Sequence, residues 1–160
     1  MPTTTREQAA AALFTLVTNG VNAALSPVSL KTALRRKRLP EDISPPMCPA
    51  FLQIQTEEDY QYRHGGMIAI PPIRTLIVDL HLYITDANAT AAGIIGPPST
   101  QLNALVQAVE ASLAPDAVTG RSTLGGLVTS CRIEGKIGYL EAERLDSYSM
   151  VMIPVSILFP

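Results

Sequence analysis

The stretch Arg74–Asp86, RTLIVDLHLYITD, decides how this chain is read. Leu76, Val78, Leu80, Leu82 and Ile84 alternate with Thr75, Asp79, His81, Tyr83 and Thr85, with Ile77 the one apolar exception on the second row. A strand turns successive side chains to opposite faces, so this pattern predicts a half-buried antiparallel strand. The last stretch repeats it: Val151, Ile153, Val155 and Ile157 share one face. Pro154 interrupts that strand, and a proline gives no ladder N–H, so an edge position or a bulge is expected there.

Working outward, Ala50–Thr56 predicts a short strand, with Leu52 and Ile54 on one side and Phe51 and Gln53 on the other. Leu127–Tyr139 predicts another, with Leu127, Cys131, Ile133, Ile137 and Tyr139 inward. Lys31–Leu39 lies between Pro27 and Pro40 and is read as a further strand that the others need as a neighbour. Glu57–Gly66 is polar, ends in two glycines, and reads as a loop or hairpin tip. The segment 39–49, LPEDISPPMCP, holds four prolines and reads as a stiff connector. Two loops, 86–99 and 115–126, complete the connections.

Two segments have helical spacing. Ala10, Leu13, Phe14, Val17 and Val21 form one stripe, with Thr4 and Glu7 as its capping box and Gly20 near its end. Leu102, Leu105, Val106, Val109 and Leu113 form the other, capped by Ser99 and stopped by Pro115. The order is α-β-β-β-α-β-β. Two helices cover only one face of such a sheet, so the expected fold is α+β: a two-layer sandwich, mostly antiparallel, of about five strands with both helices on one face. Length fits a single domain over residues 1–160.

Composition narrows the function. The chain is 47% hydrophobic and only 16% charged, too apolar for a disordered protein and poor in surface charge for a solitary one. Residues 1–40 carry six basic side chains against one acid, and residues 41–160 carry six against thirteen. Such polarity favours head-to-tail contact between copies. Cys48 and Cys131 read as reduced thiols, since two cysteines make no disulfide framework. No signal-peptide pattern opens the chain and no apolar run approaches the ~20 residues of a membrane helix, so synthesis in the cytoplasm and no membrane partner are expected.

Chemical motifs are sparse. His64, beside Glu57, Glu58 and Asp59, lacks the closely spaced ligands of a metal site. Asp79 and His81 share a strand face and form the only acid/base pairing worth weighing, with Glu57 and Glu58 as its accessories in a small-enzyme reading. Ser99 and Ser122 have no nucleophile elbow. GRSTLGG (120–126) lacks the phosphate-loop lysine, and GIIGPPST (93–100) lacks the dinucleotide fingerprint. No cofactor or metal is expected.

The run Arg35, Arg36, Lys37, Arg38, together with Lys31, remains. A nucleic-acid patch would want interleaved aromatics and a basic chain, whereas the isoelectric point is near 5.6; sequence-specific nucleic-acid binding is therefore not expected. As a four-residue targeting signal the run is generic. As a strand it has cations on both faces, so it is exposed or meets acidic groups of another chain; Lys31, Arg35, Arg36, Lys37, Arg38, Glu57, Glu58 and Asp59 are the candidate interface residues. Guarding an exposed sheet edge is the plainer explanation.

The order of elements is familiar. An amphipathic helix, a basic strand and PEDISPPMCPAF (40–51) come first; RTLIVDLHLY (74–83), PSTQLNALVQAVEASLAP (98–115), TGRSTLGGLV (119–128) and CRIEG (131–135) follow, and an apolar strand closes the chain. This resembles the tail terminator, or tail-completion, proteins of tailed bacteriophages over residues 6–158. The resemblance implies a structural, non-enzymatic virion protein of the tail and neck. Such proteins form a hexameric ring that caps the tail tube, ends its polymerisation and provides the junction for head–tail joining. The partners so implied are further copies of the chain, the tail tube protein, neck or connector proteins and, in a contractile tail, the sheath. Another neck or head-completion connector is the alternative within the same class.

Overall fold

The computed structural model describes residues 4–62, 71–141 and 148–160. His64 and the end of the expected 57–66 loop lie outside them.

The long helix α1 (Arg6–Leu25) forms as its spacing predicts and buries Leu13, Val17, Val21 and Leu25. Its cap lies one residue later than expected: Thr5 Oγ1 accepts the Gln8 N–H at 3.2 Å, and Gln8 Oε1 accepts the Thr5 N–H at 2.9 Å. Gln8 thus does the work expected of Glu7. Gly20 does not end α1; it sits inside it, where α3 (Pro98–Ser112) crosses. Pro98 occupies the first turn of α3 and Pro97 the cap position, so Ser99 is not the cap. The loop expected over 86–99 contains a short helix, α2 (Asp86–Ala91), capped by Thr85.

The sheet has six strands: β1 (Thr32–Leu34), β2 (Ala50–Gln61), β3 (Ile73–Ile84), β4 (Ser130–Ile133), β5 (Gly138–Leu140) and β6 (Ser149–Leu158). Their order is β1-β2-β3-β6-β4, with β5 pairing β6 beyond β4. Only the β1–β2 pair is parallel. The protein is α+β, and its sheet is open and mostly antiparallel.

Register explains the core. Phe51, Leu82 and Val151 stand abreast, as do Val78 and Val155, and Leu76 and Ile157. All are buried beneath α1 and α3. Each fully buried side chain of this size contributes ~1.5–3 kcal/mol. A smaller cluster lies on the opposite face at the β1 end. There Ile43 and Cys48 of the proline connector cover Ala50, Leu52 and Tyr83. The rest of that face has no second layer among the described residues.

Four expectations about the strands are corrected. The basic strand is only three residues long, because the chain leaves the sheet at Arg35 and Pro40 opens a 3-10 turn. The Ala50–Thr56 strand continues through Glu57, Glu58 and Asp59 to Gln61, with a bulge between Gln55 and Glu57. The Leu127–Tyr139 strand is two strands broken around Gly135, whose φ is +123°, and Tyr139 is exposed. Pro154 sits in an interior strand. Its missing N–H falls in the interval between β4 and β5, where its carbonyl accepts Glu134 N–H at 3.0 Å. Gly135 leaves room for the proline ring; a β-carbon there would lie 3.0 Å from Pro154 Cγ.

Candidate interaction surface

The eight charged residues singled out from the sequence separate into two groups. Arg35 turns toward the helix layer and grips Glu7 with both guanidinium nitrogens, at 2.5 and 2.9 Å. That bond holds the Glu7 carboxyl below its ordinary range and raises the Arg35 guanidinium. Glu58 also faces the helices. It lies 2.7 Å from Arg6 and 3.8 Å from Arg74, while Arg6 donates to the Tyr60 hydroxyl. Partial burial pushes Glu58 up, but the Arg6 hydrogen bond, with Tyr60 and Arg74, outweighs it and leaves the carboxyl below its usual value. Arg35 and Glu58 are therefore internal ties.

Arg36, Lys37, Arg38 and Lys31 make no ion pair among the described residues, and neither do Glu57 and Asp59. Arg36 and Lys37 run beside Gln53–Gln55, where β1 has already ended. Glu57 and Asp59 lie further along β2, on the face that carries no helices.

A hollow of about 920 Å³ opens on that face and reaches round the β4 side to Leu113, Pro115 and Cys131. Ile73, Thr75 and Ile77 of β3, with Ser156 and Leu158 of β6, form its floor. Glu57 and Asp59 form one wall. Arg132, paired with Glu134 at 3.2 Å, and Arg121 from the loop after α3 form the other. Sequence reasoning missed Arg121, Ile77 and Leu158 as members of a surface. Four strands and a loop bring them together, and no local signal announces that. A larger groove of about 1040 Å³ lies between α1 and the 114–125 loop, but the only charged residues lining it are Asp116 and Arg121.

Asp79 and His81 also lie on the uncovered face, toward the β1 end. No hydrogen bond joins them. The His81 Nδ1 atom is buried without a partner among the described residues. Burial pulls the imidazole below its ordinary value; Asp79 opposes this and Lys37 adds to it. The Cys48 and Cys131 thiols are both free and buried, and burial raises them to about 11 and about 12, far from a reactive thiolate.

Among the described residues, no group of three or more His, Cys, Asp or Glu side chains is arranged to hold a metal ion, and no helix is long and apolar enough to cross a membrane. Neither a family model nor a curated protein sequence matches the chain.

Proposed function

We propose that this protein is a structural subunit of a ring that caps a bacteriophage tail tube, ends its growth and joins it to the neck. One observation supports the reading most: among the described residues, most of one sheet face has no second layer, and it lies beside exposed charges that make no ion pair. An open face of this kind suits burial against neighbouring subunits, and the chain's low charge content fits a protein much of whose surface is covered in use. The resemblance in element order supports the same reading. Its work is shape and charge complementarity, not catalysis, and its place is the virion.

Ring closure needs heterologous contacts, in which one patch meets a different patch on the next copy. The separated cations and acids on and beside β2 suit that requirement. Light scattering of the purified chain, alone and with its tube protein, tests the proposal: a multimer supports it, and a monomer in both conditions refutes it. Electron micrographs of particles lacking the protein separate the two neck roles. Overlong tails indicate a terminator, and normal tails beside unjoined heads indicate a connector.

A further inference from the structure

We infer that the hollow on the uncovered sheet face is the receptor for the Arg36–Leu39 segment of a second copy of this chain. The inference rests on the ring reading and names the two patches that meet.

Charge supplies the first argument. The segment presents three cations, Arg36, Lys37 and Arg38, and the hollow's β2 wall presents Glu57 and Asp59; none of the five makes an ion pair among the described residues. Among the described residues the two sets do not pair within one copy. The cations lie beside Gln53–Gln55, and Asp59 is roughly 15 Å further along the strand at ~3.3 Å per residue. A second copy brings them together.

Shape and apolar surface supply the second. Leu39 is 51% exposed directly after the cations. The hollow's floor offers Ile77 and Leu158, both partly exposed. Four extended residues reach ~13 Å, and the floor from β2 to β4 spans three strand spacings, ~14 Å. Direction follows from the far wall. Arg121 there makes no ion pair among the described residues and repels cations, so the segment's cations settle at the β2 side and Leu39 crosses toward β6. Arg35, tied to Glu7, and Pro40, opening its 3-10 turn, fix the two ends of the segment and reduce the ordering that docking requires.

The contact is heterologous, since segment and hollow are different patches, and so it builds rings or filaments instead of two-fold dimers. Exposed ion pairs are individually weak, and the leucine in its apolar seat gives the contact its hold.

The test uses the full chain with two variants, Glu57→Lys/Asp59→Lys and Arg36→Glu/Lys37→Glu/Arg38→Glu. Sedimentation should show each assembling at a concentration at least tenfold above wild type. Their equimolar mixture should assemble again near the wild-type concentration, because the intact segment meets the intact hollow and the reversed segment meets the reversed hollow, again with opposite charges. Mixing Leu39→Cys with Ile77→Cys and oxidising should give a disulfide between copies, a readout that does not depend on the charge variants folding. If wild type forms a multimer, while both charge variants assemble at its concentration and the cysteine pair fails to cross-link, this contact is wrong and the ring reading stands. A wild-type chain that stays monomeric alone and with its tube protein overturns both.

Discussion

Gly20 of α1 packs directly against Ser112 of α3: a β-carbon at Gly20 would lie 1.8 Å from Ser112 Oγ and 3.1 Å from Ser112 Cβ. The hydroxyl is held there by donating to the Ala108 carbonyl at 2.7 Å. Gly20→Val should therefore cost ~1–3 kcal/mol through overpacking. Gly20→Ala should cost less, because alanine recovers up to ~1 kcal/mol of helix propensity. Thermal denaturation should show the valine variant several degrees below wild type.

The core half of this architecture was legible because burial there is periodic. β3 and β6 alternate cleanly, and α1 and α3 carry continuous stripes, so fold class and face assignments followed. The outer half of β2 was not legible. Both of its faces are wet or ion-paired, so Glu57–Gln61 shows none of the alternation that marks a strand. The basic run misled in the opposite direction: prolines on either side suggested a strand, but four cations leave only Thr32–Leu34 fit to pair. Pro154 broke a sound rule for a tertiary reason, since two short strands leave its ladder position empty.

The same logic divides the candidate surface. Arg35 looked equivalent to Lys37 in sequence, yet Arg35 closes a bidentate bond to Glu7 and Lys37 makes no ion pair among the described residues. Arg35→Glu should lower the thermal midpoint through repulsion from Glu7. Lys37→Glu should leave the midpoint unchanged and weaken assembly. Measuring melting and sedimentation on both variants checks the separation.

His81 predicts a pH dependence with a definite sign. Its folded value lies below the ordinary 6.5, so the unfolded chain binds the proton more readily. The stabilisation is complete above about pH 6.5 and is lost as pH falls through the folded value. Replacing His81 with Asn should flatten the melting temperature over pH 7 to 5, where wild type should decline. The groups facing His81 are Asp79, which opposes the shift, and Lys37, which adds to it.

The proline connector is held to the sheet by an aromatic pair. Tyr83 and Tyr148 meet edge to face at 5.3 Å between ring centroids, and the Tyr148 hydroxyl donates to the Pro40 carbonyl. Tyr148→Phe should cost ~1 kcal/mol by leaving that carbonyl unpaired. Tyr83→Phe should be neutral or stabilising, because the buried Tyr83 hydroxyl has no partner among the described residues. Denaturant unfolding of the two variants separates these outcomes.

The central claim, that the open face and the exposed charges beside it serve a ring of copies on a tail tube, is tested most directly by mass. Light scattering on the purified full chain, alone and mixed with tube protein, should give a closed multimer of fixed size in at least one condition. Adding the protein should also halt tube elongation. A monomer in both conditions, with tubes growing unchecked, would contradict the account.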